Sequence, residues 1–79
     1  MQVYYVNAQE LLRKGTELLQ AGILEEALSY FEQALLLDQK NADIWNKKGA
    51  ALRSLGRYDE ALECFNKALE IDPADRFAS

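Results

Sequence analysis

Apolar and small residues recur along the chain at three- and four-residue steps, in four blocks that short polar turns separate. The first block contains Ala8, Leu11, Gly15, Leu18 and Leu19. The second begins after a glycine and contains Leu24, Ala27, Leu28, Phe31, Ala34 and Leu35. This spacing places each block on one face of a helix. Strand-like sequence is confined to residues 3–6, which is too short to build a sheet.

The chain matches itself at an offset of 34 residues, so the third and fourth blocks repeat the first and second. Within the repeat unit the twelve identities are Ala8/Ala42, Lys14/Lys48, Gly15/Gly49, Leu18/Leu52, Gly22/Gly56, Glu26/Glu60, Ala27/Ala61, Leu28/Leu62, Phe31/Phe65, Ala34/Ala68, Leu35/Leu69 and Asp38/Asp72. Because they spread over the whole unit, the pattern predicts two copies of one helical hairpin.

The ends of the helices follow the same register. Asn7 and Asn41 each precede a helix and favour the N-cap position, and Glu10 follows Asn7 at capping-box spacing. Asp75 occupies the next cap position in the series and predicts the start of a further helix. A glycine ends the first helix of each copy, because glycine readily adopts the left-handed cap conformation. These are Gly22 and Gly56.

Glycine also lies inside the first helix of each copy, at Gly15 and Gly49. Glycine within a helix costs about 1 kcal/mol relative to alanine, so its presence favours close approach of a neighbouring helix. The large side chains of Phe31 and Phe65 would then fill the space beside these glycines. We therefore expect each hairpin to interlock through small and large residues. Trp45 is expected to be a core residue that fills the junction between the repeats, and Cys64 to be a small packing residue.

These residues resemble the tetratricopeptide repeat, which has a period of 34 and the pattern Trp-x2-Leu-Gly-x2-Tyr, then Ala-x3-Phe, then Pro. The second copy matches at Trp45, Gly49, Tyr58, Ala61, Phe65 and Pro73. The first copy matches at Gly15, Ala27 and Phe31. The departures are Leu11 for the tryptophan, Leu18 and Leu52 for the first tyrosine, Gln39 for the proline, and Lys14 and Lys48 for the leucine.

The resemblance implies an all-α fold of two stacked antiparallel helix-turn-helix hairpins in a right-handed α-solenoid. Repeat 1 would span residues 8–41 and repeat 2 residues 42–75, with an N-terminal extension at 1–7 and a C-terminal stub of a possible further helix at 76–79. It also implies a concave face, lined by the first helix of each repeat, that binds a peptide or helix of a partner protein. The corresponding positions are Gln9, Leu12, Thr16, Leu19, Asp43, Asn46, Lys47, Ala50 and Arg53.

Some members of that family grip the C-terminal carboxylate of a ligand with a lysine and two asparagines. Here those positions hold Leu12, Thr16 and Lys47, so the carboxylate clamp is absent. The side chains of Leu12 and Leu19 are expected to lie off the core stripe, exposed for a partner. The alternative is that they contact the N-terminal Tyr4 and Tyr5.

Charge is distributed unevenly among the predicted helices. The first helix of copy one is neutral and that of copy two carries +2, whereas residues 24–38 carry −4 and residues 57–72 carry −3. The inner face is thus expected to be neutral to basic and the outer face acidic, which favours an acidic segment as the ligand. The alternative is that these are ordinary solvated helix faces.

Composition excludes several functions. A chain of 79 residues with net charge −4 has no basic footprint for nucleic acid, and no apolar run approaches the roughly 20 residues that span a bilayer. Cys64 is the sole cysteine and histidine is absent, so we expect no disulfide, metal site, cofactor or catalytic base. With no secretory signal at the N-terminus, the expected location is cytoplasmic.

Three functional hypotheses remain. The leading one is a protein-interaction scaffold with no enzymatic activity. The second is self-assembly, because repeat arrays usually need about three units and the face of residues 58–71 has no cap. An end-to-end homodimer through that C-terminal face, or an exchange of hairpins between chains, would cover it. The third is that the chain is a fragment or an engineered piece of a longer array.

Overall fold

Four α-helices make up the described part of the chain, residues 7–73 of a computed structural model. They are α1 (Ala8–Gln20), α2 (Leu24–Leu37), α3 (Ala42–Ser54) and α4 (Tyr58–Ile71). α1 packs on α2, α2 on α3 and α3 on α4, while α1 also contacts α3. The predicted all-α stack of two hairpins is confirmed. The predictions made for residues 1–6, for Asp75 and for the stub at 76–79 lie outside the described residues.

Each hairpin turns at a glycine with positive φ, 80° at Gly22 and 82° at Gly56. In the first turn the Ile23 N–H donates to the Leu18 carbonyl at 2.9 Å, and the Gly22 N–H donates to the Leu19 carbonyl at 3.1 Å. The second turn repeats both bonds. This six-to-one and five-to-two pairing is the Schellman motif, which satisfies the last carbonyl groups of the helix. The sequence prediction for both glycines is confirmed.

Asparagine side chains cap the first helix of each hairpin, as predicted. Asn7 Oδ1 accepts the Glu10 N–H at 2.8 Å, and Asn41 Oδ1 accepts the N–H groups of Asp43 and Ile44 at 3.0 and 3.4 Å. The capping box predicted at Glu10 is only half formed. The Glu10 carboxylate instead accepts a hydrogen bond from Arg13 at 2.9 Å, because the ion pair with Arg13, three residues along the helix, competes with the capping interaction.

The glycines inside α1 and α3 allow a phenylalanine to approach the helix backbone. A Cβ atom placed on Gly15 would lie 2.5 Å from Phe31 Cε1, and one on Gly49 would lie 2.7 Å from Phe65 Cε1. Both distances are far shorter than van der Waals contact, so each ring occupies the space that a methyl group would need. The predicted interlocking of small and large residues is confirmed in both hairpins.

The two hairpins differ in how well their second helix is covered. Leu28 of α2 is 5% exposed because the second hairpin packs over it, whereas its counterpart in α4, Leu62, is 59% exposed. Tyr58, at the start of α4, is 67% exposed. The predicted uncovered face on the fourth helix is thus present in the described structure.

Candidate partner-binding surfaces

The first candidate surface is the face on which α1 and α3 lie side by side. On α3 it presents one polar strip at helical spacing, in which Asp43 and Arg53 are exposed and Asn46, Lys47 and Ala50 are half-buried. This strip stays accessible although α3 contacts all three other helices. We call these five residues together with Gln9, Thr16 and Leu19 of α1 the first-helix face.

On α1 the sequence prediction is wrong for one residue. Leu12 is only 8% exposed and belongs to the hydrophobic core, so it does not offer the free apolar contact expected of it. Leu19 is half-buried and packs against the same core. Thr16 is half-buried and its Oγ1 donates to the Leu12 carbonyl at 2.7 Å, while Gln9 is exposed. The α1 side of the face therefore has less accessible apolar surface than predicted.

The charged side chains of the first-helix face make only weak contacts with the rest of the protein. Lys47 Nζ lies 3.7 Å from Asp43 Oδ1 one turn earlier on the helix, a surface pair that contributes little stability. The Arg53 guanidinium carbon lies 5.7 Å from the centre of the Phe65 ring, within cation–π range. Both cations are therefore positioned on the face without being neutralised by a buried partner.

A second candidate surface, which the sequence analysis missed, is a cleft between α2 and α4. Across the described residues these two helices do not contact each other, and α3 forms the floor between them. The cleft has a volume of about 780 Å³ and an adjoining one about 380 Å³. The larger is lined by Glu32, Leu35, Leu36, Gln39, Lys40, Trp45, Lys48, Lys67, Glu70 and Ile71. None of the nine residues predicted to bind a partner lines either cleft.

Trp45 stands at the junction of the hairpins, as predicted, but it is only half-buried and one part of it faces the cleft. Its indole N–H donates to the Gln39 carbonyl at 2.8 Å, which fixes the ring. Lys48 Nζ lies 5.5 Å from the ring centre and 3.9 Å from Glu32 Oε2. Leu36, which also lines the cleft, is exposed. It was the sequence signal for this cleft, because it is apolar but lies outside the apolar face of α2.

Cys64 is buried in the core, which confirms its prediction as a small packing residue. Burial raises the pKa of its thiol, and Glu63 and Glu60 raise it further, while Lys48 opposes them. A raised pKa keeps the sulfur protonated and poorly nucleophilic near neutral pH. The residue therefore contributes to the packing of the core.

Within residues 7–73, no group of three or more histidine, cysteine or acidic side chains is arranged to hold a metal ion. None of the helices in that range is long and apolar enough to cross a membrane. The accessible features of the described structure are thus the two surfaces between its helices and the uncovered face of α4.

Comparison with known families identifies the repeat. The family's sequence models, each described as tetratricopeptide repeat, match residues 8–41 and residues 42–75. The chain belongs to the tetratricopeptide-repeat family. A search of curated proteins finds no match. The two matches together confirm the prediction of two tandem repeats.

Tetratricopeptide repeats are in general modules for protein–protein interaction, and the family is typically a non-catalytic scaffold. Membership therefore agrees with the predicted class of function and points to protein partners. The repeat pattern explains why Gly15, Ala27 and Phe31 pack together, and why their counterparts in α3 and α4 do the same. It does not specify which surface binds, or what the partner is.

Proposed function

We propose that this tetratricopeptide-repeat domain binds an acidic segment of a partner protein on the first-helix face. The observation that carries the proposal is the polar strip on α3. Asp43, Asn46, Lys47, Ala50 and Arg53 remain accessible on a helix that is otherwise packed between its neighbours. Polar and small residues in such a strip leave room for an extended chain and offer it hydrogen-bonding groups.

Charge supports an acidic ligand. α3 carries +2, and Lys47 and Arg53 of its strip are held at the surface by weak contacts alone. α2 and α4 are both acidic, so an acidic segment is repelled from the outer helices and directed toward the inner ones. Asn46 would meet the ligand backbone, and Thr16 and Leu19 would contact it from α1.

The test is a charge reversal on each of two surfaces. The variant Lys47→Glu/Arg53→Glu changes the first-helix face, and Lys40→Glu/Lys67→Glu changes the cleft between α2 and α4 by the same amount of charge. Peptides are first selected on the unaltered protein from a random-peptide display library. The selected peptides are then synthesised, labelled with fluorescein and titrated by anisotropy at low and at moderate salt.

The proposal predicts that selected peptides are acidic and that Lys47→Glu/Arg53→Glu weakens their binding about five- to thirtyfold. Two accessible charges contribute roughly 1–2 kcal/mol together when both are reversed. The dependence of affinity on salt should also flatten in that variant. A loss that occurs only in Lys40→Glu/Lys67→Glu would place the ligand in the cleft and refute the proposal, as would selected peptides with no excess of acidic residues.

A further inference from the structure

The two copies of the repeat show what kind of element covers the outer face of a second helix. In the first copy that face is covered by α3, and Leu28 and Leu35 are buried beneath it. In the second copy the same positions are Leu62, which is exposed, and Leu69, which is half-buried. Together with Tyr58 they form what we call the α4 end face. The buried α2–α3 contact is therefore a template for its occupant.

The residues of α3 that cover α2 in this template are also well defined. Ile44 and Ala51 of α3 are both fully buried. They are seven residues apart and therefore lie on the same face of the helix. Their counterparts on α1, Glu10 and Glu17, have side chains 55% and 61% exposed. Since α3 follows a hairpin and no described helix precedes α1, these positions mark the surface that packs against a preceding second helix.

A second copy of this chain is a poor occupant of the α4 end face. Head-to-tail stacking would place Glu10 and Glu17 where Ile44 and Ala51 are buried, which removes two carboxylates from water with a single cation, Arg13, shared between them. Pairing of two α4 helices about a two-fold axis would bring together two helices that each carry −3. Head-to-tail stacking and α4–α4 pairing are thus both opposed by charge.

We infer that the α4 end face binds a basic amphipathic helix of another protein. Apolar residues seven positions apart would cover Leu62, as Ile44 and Ala51 cover α2. Beside the apolar patch lie the exposed carboxylates of Asp59, Glu63 and Glu70, which select basic residues on the flank of that helix. In the template, Lys48 of the covering helix lies 3.9 Å from Glu32 on the flank of α2. The α4 residue equivalent to Glu32 is Asn66, so on α4 the carboxylates of that flank are those of Asp59, Glu63 and Glu70.

This inference goes beyond the proposed function, because the surface lies on the second helix of repeat 2 and the ligand has the opposite charge. The test uses a peptide with the sequence of α3, the helix that covers α2 in the template. The probe is an acetylated and amidated peptide of residues 41–55, which carries +2. The 79-residue protein, labelled with ¹⁵N, is titrated with this peptide and followed by amide chemical shifts.

Matched controls exist on both sides of the contact. A peptide with Ile44→Glu and Ala51→Glu reproduces the polarity of α1 and is expected to bind at least about tenfold more weakly. In the protein, Leu62→Glu is compared with Leu37→Glu, since Leu37 is 57% exposed and lies on α2, away from the α4 end face. Both changes are at exposed positions, and circular dichroism checks that both variants remain helical.

The inference requires shift changes centred on α4, lost in Leu62→Glu and retained in Leu37→Glu. It is overturned if the peptide causes no shifts, if the shifts centre on α1 and α3, or if both peptides bind alike. Shifts of α4 amides that depend on protein concentration without peptide would show that a second copy is the occupant, and this also overturns it. None of these outcomes depends on acidic peptides, so failure here is distinct from failure of the proposed function.

Discussion

Replacement of the two helix-internal glycines by alanine should have unequal effects, although the positions are equivalent in the repeat. A Cβ atom on Gly15 would meet Phe31 at 2.5 Å and one on Gly49 would meet Phe65 at 2.7 Å. Phe31 is fully buried and has no open side to move toward, whereas Phe65 is half-buried beside the uncovered face of α4. The same steric conflict can therefore be relieved at one position and not at the other.

The magnitude follows from two opposing effects. Alanine stabilises a helix interior by about 1 kcal/mol relative to glycine, whereas overpacking of a filled core costs typically 1–3 kcal/mol. For Gly15→Ala the ring of Phe31 cannot yield, so we expect a net loss of about 1–2 kcal/mol. For Gly49→Ala the ring of Phe65 moves outward and most of the cost is avoided, so the net change should be about 0.5 kcal/mol or less in either direction.

The measurement is urea unfolding followed by far-ultraviolet circular dichroism, with the midpoint and slope fitted separately. An unchanged slope would show that the difference lies in stability and not in the unfolded state. The double variant Gly15→Ala/Phe31→Leu is the control, because a smaller side chain removes the conflict and the two changes should be strongly non-additive. Equal effects at Gly15 and Gly49, or a larger loss at Gly49, would refute the reasoning.

Four further predictions concern individual side chains. Leu28→Ala should lower the free energy of unfolding by about 2–4 kcal/mol, whereas Leu62→Ala should change it by less than about 0.5 kcal/mol; urea unfolding of the pair measures both. Asn41→Ala should cost about 1 kcal/mol by the same assay, since the Asp43 N–H loses its side-chain acceptor and the Ile44 N–H keeps only the Asn41 carbonyl. Iodoacetamide should alkylate Cys64 more slowly in the folded protein than in the urea-unfolded chain, because burial raises its pKa. For the same reason stability should fall as the pH rises above about 8.5, where the unfolded thiol ionises first, and unfolding at several pH values checks the sign.

The sequence predicted the features that depend on contacts within one hairpin. Gly22 must adopt positive φ for the turn, and Gly15 must leave space for Phe31, so both constraints act on the residue type itself. Because the second copy repeats them, each was visible twice in one chain. The stacking order of the helices followed from the short turns, since a turn of three or four residues forces antiparallel neighbours to pack.

Burial that depends on more distant neighbours was not predictable from helical period alone. Leu12 and Asn46 occupy the same repeat position, yet one belongs to the core and the other lies on an accessible strip. The cleft was missed for a related reason. Its existence depends on how far α3 holds α2 and α4 apart, and nothing in the spacing of residues along either helix reports that distance. Trp45 was correctly placed at the junction, but its exposed part follows from the same separation.

The first-helix face differs from the scaffold because its accessible side chains are not the same on α1 and on α3. This difference would orient a ligand bound there. The repeat-equivalent pairs on this face are Gln9/Asp43, Thr16/Ala50 and Leu19/Arg53, while Asn46 corresponds to the buried Leu12 and Lys47 to Arg13. None of these pairs is identical, although twelve other positions within the repeat are. The scaffold thus repeats while the accessible chemistry does not. On its α1 half the charged equivalent is Arg13, which is paired with both Glu10 and Glu17, and Leu19 is apolar, whereas the α3 half contains Lys47 and Arg53.

An acidic peptide bound there should therefore place its carboxylates over α3 and its apolar residues over α1. A peptide with the same composition in reversed order would have to run in the opposite direction or lose one of these sets of contacts. We expect it to bind about tenfold more weakly by fluorescence anisotropy, because the interaction of two charges or of one apolar side chain is worth roughly 1–2 kcal/mol. Equal affinity for both orders would mean that net charge alone attracts the peptide and that the unequal halves of the face do not orient it.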